Sequence, residues 1–182
     1  MVTSVNVKGK WKELVASGAE DKTVQVWNMR IKQKLWKFQH EDQVSFVQLH
    51  NKYLITCCDD KSTRILDIES GYVIYKLSHT GRCKICDLSP NNSLLAVACS
   101  TAVVVWDFEN GTKIKEFKLG EEICDVRFNS DGTKLVAGLN EGKIFKIDMA
   151  FDSEEDTKNL NKLVKSFLKQ KVNFINKGQK TS

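Results

Sequence analysis

Six cysteines (Cys57, Cys58, Cys83, Cys86, Cys99 and Cys124) and three histidines (His40, His50 and His79) are the side chains of this sequence best suited to metal binding, redox chemistry or nucleophilic attack. Cys83-Lys84-Ile85-Cys86 has the spacing of half a zinc site. No second pair follows it and no histidine stands at ligand spacing, so both read as small core hydrophobes. Cys57 and Cys58 adjoin a turn, where Cys58 is expected to be partly exposed. Nucleophile motifs, phosphate-binding loops and the HExxH pattern are absent, and no catalytic residue, metal or cofactor is assigned.

The elements that would hold these residues follow from the rest of the chain. It has 182 residues, 41% hydrophobic and 28% charged, a balance suited to a domain with a buried core. The formal charge of +5 comes from lysines spread along the chain, with only Arg30, Arg64, Arg82 and Arg127 beside them. A diffuse surplus of this kind argues little for nucleic acid. The apolar runs at 94–99 and 102–106 fall far short of the roughly 20 residues that span a bilayer. Residues 1–10 carry no secretory pattern, so an intracellular chain, cytoplasmic or nuclear, with reduced thiols is expected.

Four segments match when overlaid: 14–28, 54–67, 94–107 and 135–148. Their terminal dipeptides are Trp27-Asn28, Leu66-Asp67, Trp106-Asp107 and Ile147-Asp148, so the first residues of these pairs lie 39, 40 and 41 residues apart. Within each unit, short Val-, Ile- and Leu-rich stretches are bounded by turn residues, predicting four strands per unit. Ser70-Gly71, Asn110-Gly111, Asp131-Gly132 and Glu141-Gly142 mark turns.

Four short antiparallel strands per 40 residues, ending in a Trp-Asp type dipeptide, resemble the WD40 repeat, the blade of a β-propeller. The resemblance covers about residues 1–148. It implies an all-β chain of about four WD40-type blades over 1–150, with an incomplete last blade that stops at its third strand. Seven blades of this size need about 280 residues, so two arrangements stand open: four blades closing into a small ring, or part of a larger propeller completed by another chain. Residues 151–175 carry Leu160, Leu163, Val164, Phe167, Leu168 and Val172 at helical spacing, and an amphipathic helix is expected there, followed by a disordered tail at 176–182.

The resemblance also implies a bracing network of His, Ser or Thr, Asp and Trp within each blade. Its members here are Ser17, Asp21 and Trp27 in the first unit, His40, Thr56 and Asp60 in the second, and His79 and Trp106 in the third. No unit is complete. Partners of such propellers dock on the face formed before the first strand and between the second and third. On this sequence that face carries Gln43, Ser45, Asp59, Arg82, Lys84, Glu122 and Asn140. The implied function is a noncatalytic scaffold binding other proteins, with ubiquitin-ligase substrate receptors as one subclass. Two other readings stand beside it: a subunit of a ribonucleoprotein or RNA-processing complex, its lysines on phosphates, and a truncated fragment of a longer propeller. No membrane partner is expected.

Overall fold

The computed structural model describes residues 1–7 and 13–149. The expected helix and tail at 151–182 lie outside them. Fifteen strands form four antiparallel sheets among the described residues. The first holds β1 (Val2–Asn6), β2 (Leu14–Ala19), β3 (Thr23–Asn28) and β4 (Gln33–Gln39). The second holds β5 (Val44–His50), β6 (Tyr53–Cys58), β7 (Ser62–Asp67) and β8 (Val73–Ser78). The third holds β9 (Cys83–Leu88), β10 (Leu94–Cys99), β11 (Ala102–Asp107) and β12 (Lys113–Lys118). The fourth has three strands, β13 (Ile123–Phe128), β14 (Lys134–Leu139) and β15 (Ile144–Asp148). Each sheet runs in chain order, the meander of a propeller blade.

The sheets stack face to face in sequence, β1 and β2 on β5, β5 and β6 on β9, and β9 and β10 on β13. Ala16, Val24 and Val26 of the first blade pack against Val44, Val47, Leu49 and Leu54 of the second. Ile55, Cys57 and Ile65 of the second meet Cys83, Cys86, Leu95 and Val97 of the third. Among the described residues no packing of similar extent joins the fourth blade to the first.

Burial follows from that order. In the two middle blades the central strands are covered on both faces, so β6, β7, β10 and β11 are buried almost throughout and read as unbroken apolar runs. In the first blade β2 alternates buried and half-buried, because one face has no neighbour among the described residues. Gly18 and Gly138 hold the same repeat position. A Cβ at Gly18 would lie 2.7 Å from Val44 Cγ1, whereas one at Gly138 would meet nothing within 4 Å. The second-blade face closes on Gly18; nothing described closes on Gly138.

A second join lies at the outer rim. Trp36 on β4 donates its indole N–H to the Ile68 carbonyl at 2.7 Å, and Tyr75 on β8 donates its hydroxyl to the Glu109 carbonyl at 2.8 Å. Each ring rests on the glycine of the next blade's outer hairpin, Gly71 (φ 72°) and Gly111 (φ 65°). These turns need both a left-handed residue and the absence of a side chain.

Candidate functional site

The first strand of every blade carries a one-residue bulge. The register slips between Val2 and Ser4, between Val44 and Phe46, at Lys84 opposite the step from Ala98 to Cys99, and between Ile123 and Asp125. The extra residues are Thr3, Ser45, Lys84 and Cys124. A bulge turns the unpaired residue away from the ladder. Thr3 donates its hydroxyl to the Gly18 carbonyl at 2.9 Å and to the Val44 carbonyl of the next blade. Ser45 repeats the arrangement, donating to Cys57 O at 3.2 Å and to Cys83 O of the third blade. Lys84 reaches the fourth blade as an ion pair with Glu122.

Near these bulges six of the seven residues expected on the docking face fall into two contact groups, Gln43 with Asp59 and Arg82, and Lys84 with Glu122 and Asn140, with Ser45 bound to the Cys83 carbonyl between Arg82 and Lys84. Gln43 Nε2 donates to Asp59 Oδ2 at 2.8 Å, and Arg82 of the next blade faces the same oxygen at 3.7 Å. The Ser100 amide donates to the Arg82 carbonyl at 3.0 Å. Asn140 donates its side-chain amide to Glu122 Oε2 at 2.8 Å and accepts the Cys124 thiol at 2.8 Å. Hydrogen bonds from Lys84 and Asn140 hold the Glu122 carboxyl below the ordinary range. Asp59 is nearly covered, with a side chain 10% exposed, while Arg82 is 69% exposed. The result is a polar strip across three blades, its base tied and its cations outward.

The bracing residues are placed unevenly. In the second blade they converge on Arg64, which the sequence reading did not include. Arg64 Nη1 lies 2.6 Å from His40 Nδ1 and 2.7 Å from both Asp60 Oδ2 and Ser62 Oγ, and Nη2 lies 3.1 Å from Glu41. Thr56 donates to the Arg64 carbonyl at 3.4 Å. Burial raises the Asp60 carboxyl, but donation from Ser62 and Arg64 and the guanidinium charge outweigh it and bring it to about 2. Burial, then the Arg64 charge, lowers His40 to about 4. A signal was present: Arg64 fills a strand position that is Gln25, Val104 and Phe145 in the other units, and a buried arginine requires anions.

In the first blade Asp21 accepts from the Thr23 amide and hydroxyl at 3.0 and 2.7 Å. Ser17 and Trp27 lie on the uncovered face, where the ring of Trp27 has the Lys34 ammonium 5.9 Å from its centre. In the third blade the turn after β10 is one residue shorter and lacks an aspartate. His79 meets Trp106 edge to face at 5.4 Å and lies 3.2 Å from the Thr63 hydroxyl. His79 Nδ1 and Trp106 Nε1 are buried without a hydrogen-bond partner.

The cysteines also depart from expectation. Cys58 is wholly buried rather than partly exposed, because its thiol points inward to donate to the Asp42 carbonyl at 3.2 Å; burial raises it to about 11. Of the six, Cys124 alone is exposed. Cys83 pairs across the ladder with Cys99, Sγ to Sγ 3.6 Å. The Lys84 bulge puts Cys83 and Cys86 on one face, where regular alternation would separate them.

The sheet order, the blade-to-blade stacking and the repeat spacing define a β-propeller architecture. Residues 1–28 and 71–107 match the family described as WD domain, G-beta repeat. These two segments match the WD40 repeat, and the blade architecture around them resembles WD40 β-propellers. A curated relative is the small ribosomal subunit protein RACK1y of Oryza sativa subsp. japonica, 26% identical over 141 residues, covering 71% of this chain and 42% of that protein. The chain thus spans less than half the length of this relative. Two solved structures share the fold at 19% identity. The computationally designed Ika4 protein has a TM-score of 0.74, over 82% of this chain and 92% of that one. The computationally designed Ika8 protein has a TM-score of 0.73, over 81% and 46% respectively.

Proposed function

We propose that this chain is a noncatalytic protein-interaction module whose docking face is the strip from Gln43 and Asp59 through Arg82 and Lys84 to Glu122 and Asn140. The observation that carries this reading is the set of hydrogen bonds and ion pairs that ties the polar groups of the strip to one another. These groups are bound across blade boundaries through bulges and carbonyls, so little order is lost when a partner settles on the protruding cations. Arg82 is the exposed arginine at its centre, the residue type that anchors interfaces. Of the histidines, His40 is held against the Arg64 guanidinium in a bracing contact.

The partner is expected to present acidic side chains to Arg82 and Lys84. The test is isolation of complexes from the native cell with the full chain and with Arg82→Ala combined with Lys84→Ala. Loss of specific proteins from the double variant, with the fold intact, supports the assignment; an unchanged set of partners overturns it.

Placement on a ribosome or another ribonucleoprotein is a second reading, supported by the ribosomal name of the rice relative. It implies a cytoplasmic location. Co-sedimentation with ribosomal subunits, falling steeply with salt as phosphate contacts do, would favour it. The ubiquitin-ligase reading rests on family resemblance alone. Among the described residues no helix is long and apolar enough to cross a membrane.

A further inference from the structure

Beneath the docking strip lies a cluster that the scaffold reading does not use. His79, Cys83 and Cys99 each offer a donor atom, and the three atoms lie within 4.8 Å of one another. The two thiols are 3.6 Å apart. On a tetrahedral ion with metal–sulfur bonds of about 2.3 Å, two thiolates sit about 3.8 Å apart. The sulfurs are therefore already at the required separation. His79 has a buried Nδ1 without a partner, and its Nε2 lies beside the Thr63 hydroxyl. A ligating histidine uses one ring nitrogen on the metal and steadies the ring through the other.

A second cluster of similar composition shows why this one is different. His40, Cys58 and Asp60 also bring their donor atoms within 4.8 Å. There the guanidinium of Arg64 lies against His40 and Asp60, so a cation already occupies the centre. No arginine or lysine contact is described for His79, Cys83 or Cys99. His79 and Cys99 have counterparts in His40 and Cys58 of the second blade, but Cys83 is specific to the third. Cys83 stands where the flanking blades have Val44 and Ile123, and its blade is the one whose short turn lacks the aspartate.

We propose that His79, Cys83 and Cys99 form a binding site for a thiophilic d10 metal ion, Zn2+ or Cu+. Soft thiolate donors select these ions over Mg2+ or Ca2+. Two thiolates neutralise a dication, which suits a site where both cysteines are at most 1% exposed. Binding releases the two thiol protons, and no electron is transferred. Three protein donors complete a trigonal Cu+ site or leave the fourth Zn2+ position for a water or small thiol. The site lies below the contact between the 80–82 loop and the Ser100 turn, where a Cβ on Gly81 would lie 2.9 Å from Ser100 Oγ. The ion would join the loop, first strand and second strand of the third blade directly beneath Arg82.

The test titrates Co2+ into the reduced full chain and follows thiolate charge-transfer and tetrahedral d–d absorption. One Co2+ per chain is expected, displaced by Zn2+, with buffered Cu+ as a parallel arm; the tighter arm identifies the ion. The bands should vanish in Cys83→Ser and in Cys99→Ser and persist in Cys58→Ala and Cys124→Ser. Should the serine variants fail to fold, alkylation of the native chain decides: bound Zn2+ or Cu+ must protect Cys83 and Cys99 selectively. Absence of thiolate bands together with absence of protection overturns the site. So does a chain isolated with Cys83 and Cys99 already joined, its mass lower by two hydrogens.

Discussion

The ring of Tyr75 lies directly on Gly111 of the next blade, where an added Cβ would sit 2.6 Å from the ring. With the hydroxyl bound to Glu109 O, this is the second of two rim clasps, the first being Trp36 on Gly71. Gly111→Ala must both strain a left-handed residue and displace the ring, and a loss of about 1–3 kcal/mol is expected. Tyr75→Phe keeps the packing and loses one hydrogen bond, about 1 kcal/mol. Denaturant unfolding of the two variants should rank them in that order.

Arg64 and Asp60 form a buried ion pair, with side chains 6% and 5% exposed. Arg64→Met leaves Asp60 and His40 without their partner, at a cost of about 3–5 kcal/mol. Adding Asp60→Asn to Arg64→Met should restore part of the loss, because the stranded charge is then removed. A double variant as unstable as the sum of the two single changes would show that the pair acts independently.

His40 is held neutral in the fold, at about 4 against an ordinary 6.5. The unfolded chain therefore takes up a proton here as pH falls below 6.5, while the folded chain resists until about 4. The stabilisation is complete above pH 6.5 and is lost as pH falls toward 4. Between pH 7 and 5 the loss is about 2 kcal/mol. Stability measured across that range should slope less in His40→Asn than in the native chain. Asp60, brought to about 2, adds its own loss only below about pH 4.

Arg82 and Lys84 sit at the mouth of the strip with exposed or half-exposed side chains and surface ion pairs. Such pairs contribute little to stability. Arg82→Ala with Lys84→Ala should change unfolding by less than about 1 kcal/mol, measured at 0.15 M salt, so lost partner binding in this variant would reflect the surface and not the fold.

The repeat made much of the architecture legible in the sequence. The fixed spacing of Trp27, Leu66, Trp106 and Ile147, the apolar runs and the glycine turns define fifteen strands because each blade repeats one local solution to strand, turn and burial. That Gln43, Asp59, Arg82, Lys84, Glu122 and Asn140 lie at strand starts and turns was readable for the same reason, since these fall together at one end of every blade. Arg64 was harder to see, for its partner His40 comes from 24 residues away, across the strands and turns that separate them.

What only the tertiary structure decided is how neighbouring blades meet. Bulges at Thr3, Ser45 and Lys84 direct single side chains across blade boundaries, while the one at Cys124 turns its thiol to Asn140 of the same blade, and no composition pattern marks a one-residue slip in register. The slip at Lys84 puts Cys83 with Cys99 and His79, although sequence spacing pairs it with Cys86. Local periodicity thus determined the blades, because strand and turn formation depend on near neighbours. The thiol pair depends on the strand register within one blade, and the rim clasps depend on residues 32 and 34 positions apart whose distances are set only when sheets stack.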